Sequence, residues 1–503
     1  MKTKYLSEYL EHLRPLIREV KGGVLIEIAG ATNDSRKVRP GWLFVAVSGT
    51  LADGHHYIEQ ALVAGAVAVI SEKELDMSSA VACVRVTDAY AAAAGAAEVM
   101  YDFPACNLQL IGITGTNGKT TTAFLLREIF LQLGEKVGMI GTVGYDCGGT
   151  WEAASRTTPD PFVLQALFRE MVKNGCHRAV LEVSSHALLQ SRLGSSRFGG
   201  AVFTNLSGDH LDYHRSMENY YLAKRVLFQT LLNDDAVIVL NGDDPYGRRL
   251  QREITGCQMK TWGRLRRDQD YVLRIVREGL FGQVCQLTGC HEARRWCAPL
   301  VGRYNADNMA AAALMARGLG ISWDVITAAF RATVGVPGRL QAVAFPNHAL
   351  ALVDYAHTDD ALLKVLQTLK SLPHRRLLVV FGCGGDRDRG KRPRMGRVAA
   401  AFADHIIITN DNPRNEDPRA IADEIVSGVP FRQVCEVILD RRQALEAAVK
   451  MLQPYDLLLV AGKGHEDYQE IGGEKTFFDD RVELLRLCRE MENSSFTLSP
   501  PAK

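Results

Sequence analysis

Apolar runs of four to six residues, each closed by a polar or glycine-rich tip, recur along much of the chain. Between them lie stretches whose apolar positions fall three and four apart. The first pattern is that of strands buried on both faces, the second that of helices packed over them. In the first part of the chain the runs at 43–47 and 66–70 are separated by Gly and Asp turns. From residue 108 strands and helices alternate, with strands predicted at 178–181, 200–203 and 236–240. Their tips are Glu182-Val183-Ser184-Ser185-His186, Thr204-Asn205-Leu206 and Asn241-Gly242-Asp243-Asp244. Past Val336-Pro337-Gly338-Arg339, a plausible hinge, strands are predicted at 350–353, 377–381, 405–408 and 457–460. These end at Asp354, Gly382, Thr409-Asn410-Asp411 and Gly462. The expected fold is α/β in three domains, 1–107, 108–333 and 334–503, with ligands gathering outside the carboxyl ends of the strands. The Ser/Pro-rich tail, 493–503, reads as disordered.

Composition narrows the class without changing this picture. A length of 503 residues suits about three domains of roughly 150 residues. Hydrophobic content of 47% and charged content of 23% are ordinary for a soluble protein. A net charge of +1 gives no reason to expect nucleic acid or an anionic membrane as partner. The N-terminus has no signal-peptide core, and the apolar stretch 61–70 has about half the length needed to cross a bilayer. The 11 cysteines stand singly and read as reduced thiols of a cytoplasmic protein. Cys285, Cys290, His291 and Cys297 lie close together, but no paired zinc spacing joins them, and Val284 and Leu287 alternate like a strand.

One segment fixes a cosubstrate. A predicted strand at 107–111 runs into Gly112-Ile113-Thr114-Gly115-Thr116-Asn117-Gly118-Lys119-Thr120-Thr121, and a helical pattern follows at 123–130. Such a turn aims several backbone N–H groups at one point, and the helix start adds roughly half a positive charge there. Lys119 is placed to reach the outer phosphates of a nucleotide and the Thr120 hydroxyl to ligate Mg²⁺. Glu182, at the end of its strand, suits a carboxylate that holds Mg²⁺ near a phosphate loop.

The run Asn205-Leu206-Ser207-Gly208-Asp209-His210-Leu211-Asp212-Tyr213-His214 is dense in donors. His210 and His214, four apart, suggest zinc on one helix face. Leu211 stands where a metalloprotease needs Glu, so that reading fails and a hard-cation role for His210 fits better.

Together, residues 115–121, 182–186, 203–206 and 209–214 resemble the Mur ligases, the ATP-dependent amide-forming enzymes of bacterial cell-wall synthesis. The resemblance implies a UDP-sugar-binding N-terminal α/β domain, a central P-loop ATPase-like parallel-sheet domain and a C-terminal Rossmann-like domain for an amino acid. It implies ATP as cosubstrate with Mg²⁺, bound by Gly115, Thr116, Asn117, Gly118, Lys119, Thr120 and Thr121. Asn305 and Asn308 match a segment near the nucleotide, and Arg339 and the Asp354-Tyr355-Ala356-His357 stretch resemble residues that close over it. Lys224 matches a carbamylated lysine whose carbamate helps bind a second Mg²⁺, although sequence alone reads it as a solvated helix lysine. Lys119, Lys224 and His210 would be the catalytic set.

The resemblance extends to the substrates. Ser35, in Asp34-Ser35-Arg36, with the loop Thr50, Leu51 and Ala52 would contact a uracil nucleotide. Thr157, Thr158, Ser184, Gln190 and Arg192 match residues that hold a muramoyl-dipeptide, and Arg192 suits a pyrophosphate or carboxylate. Arg156 departs from the family, where Asn is expected. Asp411, Asn412, Pro413 and Arg414 resemble a signature for meso-diaminopimelate. Diaminopimelate differs from lysine by one far carboxylate, which an Arg fork binds through two charge-assisted bonds and lysine would leave unpaired. Such contacts discriminate by about 10⁴-fold or more, less where water enters. Arg387 is implied for a ligand carboxylate, and Gly462 and Glu466 for the ammonium end.

The implied activity is addition of meso-diaminopimelate to a UDP-N-acetylmuramoyl-dipeptide in the cytoplasm, by a monomer with no nucleic-acid or membrane partner. Three alternatives compete. Lysine addition uses the same chemistry, but lysine-adding relatives carry a small apolar residue in place of Arg414. A folylpolyglutamate synthase should lack the UDP-sugar segment and the 411–414 loop. A nucleotide switch would hydrolyse ATP without either cosubstrate.

Overall fold

The computed structural model describes residues 3–49, 52–75, 81–208, 211–266, 268–290, 292–430 and 434–496. The chain divides into two compact units. The first holds residues 1–273, 287–294 and 307–329, and the second 274–286, 295–306 and 330–503.

The first unit begins with a five-stranded sheet in the order Ile17–Lys21, Ala82–Val86, Ala66–Ser71, Trp42–Val45 and Gly30–Thr32. Only Ile17–Lys21 runs antiparallel to its neighbour. The helix Ala89–Tyr101 lies over this sheet, capped by Asp88, whose carboxylate accepts from the Ala91 N–H at 2.9 Å. Its run of small residues permits close approach: a Cβ on Gly95 would lie 2.6 Å from Leu13.

The second sheet of this unit carries the parallel order Val137–Ile140, Arg178–Glu182, Gln109–Thr114, Phe198–Phe203, Leu232–Asn241 and Gln258–Gly263. Strand Gln109–Thr114 lies between Arg178–Glu182 and Phe198–Phe203, so the chain passes from one side of it to the other between those two strands, and in such sheets ligands gather outside the carboxyl ends at that point. It starts two residues later than the hydrophobic pattern suggests, because Pro104–Asn107 winds into a 3₁₀ turn. The following helix starts earlier, at Lys119, directly on the glycine turn.

The second unit contains a six-stranded sheet, Gln341–Ala344, Leu350–Asp354, Leu457–Ala461, Leu377–Phe381, His405–Ile408 and Cys435–Val437. All neighbours are parallel except the first pair. Alternate residues serve two cores. Leu350, Leu352, Leu377, Val379, Phe381, Leu457 and Leu459 pack with helices Asp359–Lys370, Lys391–Phe402 and Pro418–Val426. Ala351, Val353, Leu378, Val380, Leu458 and Val460 pack with Arg441–Lys450 and Asp480–Phe496. This period of two, apolar on both faces, is why the strands read as unbroken hydrophobic runs. The last helix reaches Phe496, so 493–496 are helical, against the expectation of disorder from 493. Residues 497–503 fall outside the described chain.

A buried ion pair ties the second core together. The Arg441 guanidinium, fully enclosed, donates to both Asp480 oxygens at 2.7 and 2.8 Å and to the carbonyls of Asn410 and Ala461 at 3.1 Å. Arg441→Leu is expected to cost about 3–5 kcal/mol in urea denaturation, because Asp480 is left charged and uncompensated. Arg441→Leu combined with Asp480→Leu should cost less than Arg441→Leu alone.

Candidate active site

The phosphate loop closes where strand meets helix. Gly115 and Gly118 take φ of +144° and +88°, which side chains resist. There is no room either: a Cβ on Gly115 would stand 2.0 Å from Thr204 Oγ1, and one on Gly118 would stand 2.3 Å from Asn308 Oδ1. The Asn117 N–H donates to Asn205 Oδ1 at 3.0 Å, and Thr204 Oγ1 donates to the Asn117 carbonyl at 2.7 Å. The Thr116 N–H is bound by the Asn205 carbonyl at 2.8 Å. Lys119 Nζ donates to the carbonyls of Gly115 and Thr116 at 3.0 and 2.8 Å. Thr121, like Thr120, is buried in the first helical turn.

Glu182 is fully buried and makes no ion pair among the described residues. Its carboxylate accepts from Thr120 Oγ1 at 2.9 Å, the Thr142 N–H at 2.8 Å and Thr142 Oγ1 at 3.1 Å. A buried carboxylate with no ion-pair partner is costly without a cation, and its oxygens with the Thr120 and Thr142 hydroxyls suit a hard divalent ion. Thr142, which no motif signalled, reaches Glu182 from the end of the neighbouring strand.

Lys224 is 1% exposed on helix Met217–Thr230, so the reading of a solvated lysine fails. Its Nζ donates to the Gly115 carbonyl at 2.8 Å and to Thr114 Oγ1 at 3.4 Å, and lies 4.7 Å from the Tyr220 ring. His210 falls outside the described residues. His214 is buried, with Nε2 2.8 Å from Ser185 Oγ and its ring stacked on Tyr220 at 4.7 Å.

A second cluster lies beside Glu182. Thr158 Oγ1 donates to the Glu182 carbonyl at 2.7 Å and accepts from the Ser184 N–H at 3.0 Å. Ser184 caps the helix Ser185–Leu189, and Thr157 Oγ1 is 3.1 Å from Thr142 Oγ1. The Arg192 guanidinium donates to the Thr158 carbonyl at 2.5 Å and to Gln190 Oε1 at 3.0 and 2.6 Å. Burial, and then the Arg156 cation, pull the Arg192 pKa below its ordinary value. Thus five of the predicted residues, Thr157, Thr158, Ser184, Gln190 and Arg192, do converge.

Near the N-terminus, Ser35 Oγ donates to Gln60 Oε1 at 2.9 Å and Asp34 caps the turn that follows. Ala52 is exposed, its carbonyl accepting from the Gly49 N–H at 2.9 Å, while Thr50 and Leu51 lie outside the described residues.

In the second unit, Asp411, Asn412 and Pro413 are buried at the tip of strand His405–Ile408. Arg414 takes φ of +50°. Its Nη1 donates to the Gly385 carbonyl at 2.7 Å and its Nε lies 3.6 Å from Glu470 Oε2. Neither of the carboxylates that follow it in the loop, Glu416 and Asp417, pairs with Arg414. Glu416 binds Arg392 at 2.8 Å, and Asp417 caps Pro418–Val426. Asn412 Nδ2 donates to Glu466 Oε2 at 2.7 Å. Gly462, at φ +112°, leaves room for Asp411, whose Oδ2 a Cβ there would meet at 2.4 Å. Burial and the neighbouring Asp411 raise the Glu466 pKa. Arg387 is exposed and donates to the Asp386 carbonyl at 3.2 Å.

Arg339 stands 5.3 Å from the Tyr355 ring, just after a turn in which a Cβ on Gly338 would lie 2.3 Å from the His465 nitrogen. Asp354 caps no helix. Its carboxylate accepts from the Leu340 and Ala356 N–H groups at 2.8 and 2.9 Å, and burial raises its pKa. Asn305 Nδ2 donates to the Val301 carbonyl at 2.8 Å.

Among the described residues no cluster of three or more His, Cys, Asp or Glu side chains could hold a metal, and all eleven cysteines are free. His291, the histidine of the weighed zinc group, lies outside them. No described helix is long and apolar enough to cross a membrane.

Three family models match along the chain. They are the Mur ligase family catalytic domain at 27–105, the Mur ligase middle domain at 113–316 and the Mur ligase glutamate ligase domain at 338–464. A protein of Listeria monocytogenes named UDP-N-acetylmuramoyl-L-alanyl-D-glutamate--2,6-diaminopimelate ligase is 42% identical over 463 residues, 91% of this chain and 94% of its own. One of the same name from Chlorobium phaeobacteroides is 42% identical over 492 residues, covering 95% and 96%. A solved structure, again of that name, superposes with a TM-score of 0.71 at 33% identity, covering 98% of this chain and all of its own.

Proposed function

Because the chain belongs to the Mur ligase family, we propose that it joins meso-diaminopimelate to the D-glutamate of UDP-N-acetylmuramoyl-L-alanyl-D-glutamate, consuming ATP. The relatives of that name, alike over nine-tenths of the chain, support the substrate pair. The structural observation that carries the amino-acid choice is Arg414, fixed in orientation by the Gly385 carbonyl beside the Asn412–Glu466 pair.

The segment 1–107 would bind the UDP-sugar through Ser35 and the loop 50–52. Residues 108–333 would bind ATP and the dipeptide, and 334–503 the amino acid. Glu182 and Thr120, with His210 and a carbamylated Lys224, would hold Mg²⁺, which supplies charge neutralisation on the transferring phosphoryl group. A substrate carboxylate oxygen attacks the γ-phosphorus and ADP leaves. The amine nitrogen then attacks the acyl carbon, inorganic phosphate leaves, and the nitrogen gives up a proton. Activation is required because hydroxide is too poor a leaving group for direct condensation. Lys119 and the loop N–H groups meet the charge that develops on phosphate. Thr157, Thr158, Ser184, Gln190, Arg192, Asn305 and Arg339 would bind and orient the substrates, and Arg387 would assist Arg414.

ADP release should require both the dipeptide acid and diaminopimelate. Equal ATP hydrolysis with both omitted would instead support a nucleotide switch.

A further inference from the structure

Lys463 follows Gly462 in the same loop, and its ammonium is fully buried. Nζ donates to Asn412 Oδ1 at 3.2 Å, stands 3.5 Å from Glu466 Oε2, and lies 5.4 Å from the Tyr468 ring. The Glu470 N–H donates to the same Asn412 oxygen at 3.0 Å, so both donors turn the amide nitrogen toward Glu466. Burial lowers the Lys463 pKa; of the charged groups facing it, Asp411, Glu466 and Asp480 favour its cation and Arg441 opposes it. Arg441 and Asp480 already neutralise each other. What remains is two carboxylates, Asp411 and Glu466, against one ammonium. The balance is a single negative charge, which suits one incoming ammonium group.

We propose that Lys463 is a positioning residue of the amino-acid site, the buried counter-ion that favours the ionised form of Glu466 and keeps Asn412 turned to present its N–H to Glu466. This rests on the reading of 411–414 and 462–466 as the amino-acid site. Without the cation, burial and the Asp411 charge raise the Glu466 pKa with less opposition, and Glu466 offers less charge to the ligand.

The test uses the full chain with ATP, Mg²⁺, the UDP-dipeptide and diaminopimelate. In Lys463→Met, KM for diaminopimelate should rise about tenfold over wild type at pH 7, and the ratio should shrink to about twofold at pH 9, as Glu466 ionises unaided. KM for ATP and for the UDP-dipeptide should stay within about twofold in the same variant. Glu466→Gln should show a similar deficit at pH 7 that does not recover at pH 9, because an amide cannot ionise. An unchanged KM for diaminopimelate in Lys463→Met, a deficit shared equally by all three substrates, or one insensitive to pH overturns the proposal. If Lys463→Met does not fold, Lys463→Gln is measured in its place. Failure of both to fold would make the ammonium a core element and overturn the proposal too. Failure of the wild type to couple diaminopimelate at all would instead sink the reading of the site itself.

Discussion

Arg414→Ala should lower kcat/KM for diaminopimelate by about 10²–10³-fold, since truncating one partner of a hydrogen-bonded charge pair costs about 2–5 kcal/mol and each 1.4 kcal/mol is a factor of ten. A loss near about 5 kcal/mol, the top of the span for such pairs, is not expected, because the guanidinium is about one-fifth exposed and already shares Glu470 at 3.6 Å. The loss should fall mainly on diaminopimelate binding, with KM for ATP unmoved. Steady-state kinetics with each substrate varied in turn measures this. Unchanged efficiency would remove Arg414 from the site. Lysine has no far carboxylate, so its slow coupling should be nearly indifferent to the same substitution.

Lys119→Ala should cut kcat by at least about 10²–10³-fold with little change in KM for diaminopimelate, the loss expected when a preorganised donor to developing charge is removed. In the structure its ammonium is held by the Gly115 and Thr116 carbonyls, over the turn whose N–H groups and helix start favour an anion. Those carbonyls fix its reach, so shortening the side chain removes the ammonium held over the turn by both of them. Rapid-quench measurement of acyl-phosphate formation should place the defect at phosphoryl transfer. A defect confined to amine attack would contradict the role given to this lysine.

What could be read from sequence was whatever is local. The glycine turn, Lys119 and Thr120 lie within a few residues of each other, and strand-tip residues such as Glu182 and Asp411 follow from the end of a hydrophobic run. Both doubly wound sheets were legible for the same reason, since burial on two faces leaves an unbroken apolar stretch. Boundaries shifted where local chemistry cut across the pattern, as at Pro104–Asn107 and at the terminal helix to Phe496. Contacts between distant segments were not legible. Lys224 meets Gly115 across 109 residues, Thr142 meets Glu182 across 40 and Lys463 meets Asn412 across 51, and no periodicity encodes such pairs. The same holds for Arg414, whose neighbour is Glu470 on the later hairpin and neither of the carboxylates nearest in sequence.

The most direct trial is a competition. Purified chain, ATP, Mg²⁺ and UDP-N-acetylmuramoyl-L-alanyl-D-glutamate are supplied with equimolar meso-diaminopimelate and lysine, and the UDP-tripeptide is weighed by mass spectrometry. A product carrying diaminopimelate almost alone is the predicted result. Lysine incorporated as readily would contradict it.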